Sequence, residues 1–215
     1  MLRAYRVDPV GAARGGLVVL HEIFGVNEHM RDVCDDYARR GYLVVAPALF
    51  DRVERGVELD YGIEGIARGR DLRSKIAWES SLLDVQAAID AAGQGGAVAV
   101  LGYCWGGTLA YLAATRLRGL ACAVSYYGGQ TTPFAAERAR VPMMMHFGEM
   151  DPRIPEADIL EVARHNPTIE IHKYPADHGF NCDSRKEWHA ASAHSALERT
   201  LSFLKVGLHA REAGV

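Results

Sequence analysis

The chain has 215 residues, 49% hydrophobic and 24% charged, which suits one α/β domain with a large core spanning residues 1–215. A formal net charge of −3 gives no basic surplus for nucleic acid or an anionic membrane. No apolar run approaches the roughly 18 residues of a membrane span, and the four cysteines form neither a CxxC pair nor a disulfide-dense pattern.

Residues 1–15 carry three arginines and one aspartate but no apolar core, so no secretory signal is expected and a reducing cytoplasm is the expected setting. Leu17–Leu20 reads as a strand, Glu28–Arg40 as a helix stopped at Gly41, and Tyr42–Ala46 as a second strand. Asp51–Ser74 is the least regular part, rich in charge and glycine. It reads either as a solvated excursion or as a cap in which one of Arg52, Arg55, Arg68, Arg70 and Arg73 binds an anionic substrate. Beyond it, Trp78–Ala92 reads as a helix, Ala97–Leu101 as a strand, Gly107–Arg118 as a helix and Ala121–Tyr126 as a strand. Strands at Met143–Phe147 and Ile169–Tyr174 enclose a helix at Pro155–His165. A last helix, Lys186–Leu204, has an apolar stripe at Ala190, Ala193, Leu197, Leu201 and Leu204. Most of the strands are apolar throughout, as in a mostly parallel twisted sheet with helices on both faces. Ligands then gather at the carboxyl ends of the strands.

One of those ends carries Gly102-Tyr103-Cys104-Trp105-Gly106, between a strand and a helix. This is a nucleophile elbow with cysteine in the central place. The turn lifts the thiol to the top of the sheet, at the positive end of the next helix, where thiolate is favoured. A thiol there needs a base and an orienting acid, in the chain order nucleophile, acid, histidine. Asp151 follows the strand Met143–Phe147, and His178 follows the strand Ile169–Tyr174, so both are expected at the same edge as Cys104. Glu149 is a rival acid, and Asp177 is expected to serve the loop backbone. Oxyanion donors are expected from the backbone N–H groups of Trp105 and Ile23. From this segment alone, Glu22 reads as a structural helix-entry or salt-bridge residue.

Taken together, His21-Glu22-Ile23-Phe24-Gly25-Val26-Asn27, Gly102-Tyr103-Cys104-Trp105-Gly106-Gly107, Asp151 and His178-Gly179-Phe180 resemble the dienelactone hydrolase (carboxymethylenebutenolidase) family from about residue 16 to about residue 205. The resemblance implies an α/β-hydrolase fold without a large lid domain. No cofactor is expected, and no metal, because the candidate loops hold no short-spaced ligand pair such as HxH or HxxxH. The same resemblance implies a Cys104–His178–Asp151 triad opening a lactone or small activated ester through an acyl-thiol intermediate. It also implies that Glu22 holds the resting thiol and helps it become thiolate. An enolate leaving group, still tethered, would help generate the hydroxide for deacylation. An ordinary ester would instead rely on His178 to activate water.

Two positions depart from the family's pattern. The arginine expected four residues after the histidine is Cys182, leaving Arg185 as a substitute. The one expected before Trp78 falls on Asp71, beside Arg70. Arg70, Arg73, Arg185, Phe24 and Tyr126 are therefore the candidate substrate contacts. The amino-terminal edge hairpin is expected to be reduced, and a monomer is the default expectation. The alternative reading is a redox-responsive or ligand-binding protein on a hydrolase scaffold, with Cys104 as sensor.

Overall fold

The computed structural model describes residues 2–209. Seven strands make one sheet: β1 (Ala4–Val7), β2 (Gly16–Leu20), β3 (Leu43–Pro47), β4 (Val98–Tyr103), β5 (Leu120–Tyr126), β6 (Met143–Gly148) and β7 (Glu170–Tyr174). Their spatial order is β1-β3-β2-β4-β5-β6-β7. Every pairing is parallel except that of β1 with β3. β1 is thus a single antiparallel edge strand. Strands β2 to β6 are buried along their whole length, which is why their sequences are apolar at successive positions.

The helices are α1 (Glu28–Arg39), α2 (Ile63–Ser74), α3 (Trp78–Ala92), α4 (Trp105–Arg116), α5 (Glu156–His165) and α6 (Ala190–His209). Helices α3 and α4 pack together over β2–β5, while α1 and α6 share a cleft and cover the sheet elsewhere. Helix α4 is buried from Trp105 to Thr115, so it forms the middle of the core rather than a surface layer. Asn27 caps α1 by accepting a bond from the Met30 N–H at 3.1 Å. Among the described residues, no helix is long and apolar enough to cross a membrane.

Three expectations need correction. Asp51–Ser74 is not irregular throughout: a 3-10 turn at Leu49–Arg52 leads towards helix α2. The last helix begins at Ala190 rather than Lys186, because Cys182–Trp188 is spent on successive turns closed by Arg185 N–H to Cys182 and Trp188 N–H to Arg185. Its buried stripe is Ala193, Ala196, Thr200, Leu204 and Leu208, with Ala190 exposed and Leu197 and Leu201 only half-buried.

Candidate active site

The site is built at the carboxyl edge of the sheet. β4 ends at Tyr103, and Cys104 turns the chain directly into α4 with φ +53° and ψ −112°. That backbone is strained for a residue with a side chain, and it persists because both neighbours hold it. The Cys104 N–H donates to Tyr126 O at 2.9 Å, and its carbonyl accepts from Thr108 N–H at 3.1 Å. Gly106 must be glycine: a Cβ there would meet the carbonyl oxygen of Leu20 at 2.2 Å. Trp105 is the first residue of α4, so its N–H has no helical carbonyl four residues back. Ile23, from the loop after β2, lines the same cavity as Cys104 and Trp105. Both expected oxyanion donors therefore border the thiol's cavity.

His178 and Asp151 meet as the chain order requires. The imidazole Nδ1 lies 2.6 Å from Asp151 Oδ2, and both side chains are almost fully buried. The other carboxylate oxygen, Oδ1, accepts the Arg153 N–H at 2.8 Å, so the carboxylate is held at both ends. Asp177 accepts the His178 N–H at 2.6 Å and so serves the loop, while Glu149 is exposed. The imidazole Nε2 is buried without a hydrogen-bond partner. Burial disfavours the charged ring, but Cys104 and Asp151 outweigh it and push His178 up to about 9. Tyr127, itself at φ +39°, packs its ring 5.0 Å from the imidazole.

Glu22 forms an ion pair with Arg185. It is buried, and its Oε1 accepts from Arg185 Nη1 at 3.3 Å rather than from the thiol; Oε2 has no partner. The Arg185 guanidinium also donates to Glu187 and faces the Phe24 ring at 5.7 Å. Burial lowers its pKa, but Glu22 and its other neighbours raise it well above the ordinary value. Arg185 is therefore committed to Glu22 and does not line the cavity of Cys104. Phe24 and Tyr126, also expected to touch substrate, are buried elsewhere: Phe24 packs on Tyr61, and the Tyr126 hydroxyl bonds Thr200 at 2.7 Å. Cys182 is buried as well, and its thiol is pushed up to about 12 by burial and by Glu22.

The cavity holding Cys104 and His178 measures about 450 Å³, the size of a small monocyclic substrate. Arg70 and Arg73 line it. Of the other arginines there, Arg52 is spent on Asp84, and Arg68 on Glu54 and Asp71. Arg153 and Gln130 also line the cavity and were not singled out from sequence. The signal for Arg153 was its place two residues after the acid, in the loop beyond β6. A larger cleft of about 890 Å³ opens at the opposite, amino edge of β5–β7, and none of Cys104, Asp151 and His178 lines it.

This sheet order, elbow and edge define an α/β-hydrolase. Residues 2–208 match the dienelactone hydrolase family, and the chain belongs to that family. It is 37% identical over 205 residues to the carboxymethylenebutenolidase of Pseudomonas sp. (strain P51), covering 89% of this chain and 85% of that one. A provisionally named carboxymethylenebutenolidase of Synechocystis sp. (strain ATCC 27184 / PCC 6803 / Kazusa) is 32% identical over 228 residues, covering 96% and 92%. Among solved structures, the provisionally named dienelactone hydrolase of Klebsiella pneumoniae subsp. pneumoniae superposes with a TM-score of 0.84 at 30% identity, covering 94% and 91%. The chain is accordingly a hydrolase of the lactone- and ester-cleaving type.

Proposed function

We propose that this protein opens lactones such as dienelactone, or small activated esters, through an acyl-thiol intermediate on Cys104. One observation carries the reading: the thiol sits on a strained elbow beside an imidazole whose far nitrogen is held 2.6 Å from a buried carboxylate. Cys104 Sγ attacks the carbonyl carbon with its proton already resting on His178 Nε2. The oxyanion accepts from the Trp105 and Ile23 N–H groups, which act before and after attack without reorganising. The carbon–oxygen bond then breaks, and the leaving alkoxide or enolate takes the proton back from His178 or departs as the anion. Water, giving its proton to His178 or to the tethered enolate, attacks the acyl-thiol and frees Cys104. Asp151 keeps the imidazole in the tautomer that this cycle needs.

Glu22 in this reading acts behind the thiol. Its Oε2 has no partner, while the contact with Arg185 fixes its position. The test is steady-state hydrolysis of dienelactone beside a neutral p-nitrophenyl ester, for the wild type and Cys104→Ala. Loss of at least about a thousandfold in kcat/KM with an unchanged circular-dichroism spectrum is expected. Full turnover by Cys104→Ala overturns the reading.

A further inference from the structure

Arg70, Arg73 and Arg153 share one cavity with Cys104 and His178. Among the described residues none of the three is paired with a carboxylate, whereas Arg52, Arg68 and Arg116 each are. Three unneutralised guanidinium groups around one small cavity repel one another, and their field favours an anion inside it.

Arg73 is the most constrained of the three. Its guanidinium lies 3.9 Å from the centre of the Trp78 ring and 5.3 Å from that of Trp105. Nη1 donates to the Ile76 carbonyl at 2.9 Å, and Nε is buried without a partner. Burial lowers its pKa, as for a cation that has lost water and gained no counter-charge. Arg70 precedes it by one helical turn on α2 and lines the same cavity.

Arg153 comes from the other direction. It follows β6, and its N–H bond to Asp151 fixes its backbone beside the triad while its side chain stays exposed. Helix α2 rests on the loop after β2, where Gly69 meets the backbone of Ile23. In the sheet, β4 and its Cys104 lie between β2 and β6. The cations therefore flank the nucleophile instead of converging on one point. A substrate with one carboxylate engages Arg73 and leaves Arg153 unmatched.

We propose that the pocket selects substrates with two anionic groups, Arg73 and Arg70 reading one and Arg153 the other, with the scissile carbonyl over Cys104 between them. This rests on the hydrolase reading and names its substrate class: small lactones or esters that keep two free carboxylates, one on the acyl part and one on the alcohol part. The two groups are carboxylates sited on opposite sides of the bond that breaks.

The test reads binding and turnover separately. Alkylation of Cys104 by iodoacetamide is followed by mass spectrometry in the presence of the α,ω-dicarboxylates from succinate to pimelate. The corresponding straight-chain monocarboxylates are run alongside. At least one dicarboxylate is expected to protect at about tenfold lower concentration than its monocarboxylate counterpart. Arg153→Gln, at an exposed position, is expected to bring the two together, and Arg73→Gln to weaken both. Equal protection by both series, or a dicarboxylate preference untouched by Arg153→Gln, overturns the proposal. Cys104-dependent turnover of p-nitrophenyl acetate is measured on the same preparations. Turnover without a dicarboxylate preference overturns this inference alone. A preference without any turnover overturns the hydrolase reading and the substrate class built on it.

Discussion

His178 and Glu22 are both buried, and each is held by one charged partner, Asp151 and Arg185 respectively. The imidazole keeps its proton because Cys104 and Asp151 favour the cation more strongly than burial opposes it. Its pKa in the folded chain, about 9, lies above the ordinary 6.5. The resulting stability is therefore fully present below pH 6.5 and is lost as pH rises through about 9. Cys104→Ala removes one of the two supports, so the imidazole midpoint, followed by NMR, is expected to move to lower pH. The pH-dependent loss of urea stability should move with it, and identical titrations in both proteins would show that the thiol does not act on the ring. Glu22 depends on a single donor, Arg185, for its one satisfied oxygen. Arg185→Ala leaves that carboxylate buried and unpaired, at a cost of about 3–5 kcal/mol in urea denaturation. Glu22→Gln in the same chain should recover part of this loss, since it removes the stranded charge.

At the scale of elements, the strands were legible because a sheet covered on both faces needs apolar residues at every position, and few other structures do. The elbow was legible because its glycines answer to backbone contacts, with Gly106 against Leu20. Helix α2 was not. Its sequence has no apolar stripe, and only Gly65, Gly69 and Leu72 are buried along it. Two glycines inside twelve residues read as loop because glycine costs about 1 kcal/mol in a helix interior. Here Gly69 is required by packing, since a Cβ would meet the Ile23 carbonyl oxygen at 2.0 Å. The contact sets the distance between α2, with its arginines, and the loop that donates to the oxyanion. Gly69→Ala should force α2 away and lower kcat/KM by about tenfold or more, with a fall in melting temperature that leaves the protein folded at the assay temperature. Gly93→Ala, where a Cβ meets nothing within 4 Å, is the control. An unchanged kcat/KM in Gly69→Ala would mean that α2 does not position the site. The misplacement of Phe24, Tyr126 and Arg185 has a related cause. Proximity in sequence to a site residue says nothing about which face of a loop points inward, and the inward face at Arg185 belongs to Glu22.

Over the whole molecule the charge is −3, yet the cavity above the sheet gathers cations that carboxylates elsewhere leave free. A field of that sign in a molecule of the other sign acts only at short range, because about 0.1 M salt screens beyond roughly 10 Å. Approach of an anionic substrate should therefore be salt-sensitive in a way that neutral substrates are not. Between about 10 mM and 0.5 M sodium chloride, kcat/KM for dienelactone is expected to fall several-fold, mainly through KM, while that for a neutral p-nitrophenyl ester stays within about twofold. Arg73→Gln should flatten the dienelactone dependence, because the half-buried guanidinium stacked on Trp78 is the cation least shielded by water. A flat dependence in the wild type would mean that the three arginines are neutralised in solution and that selection by the pocket rests on shape.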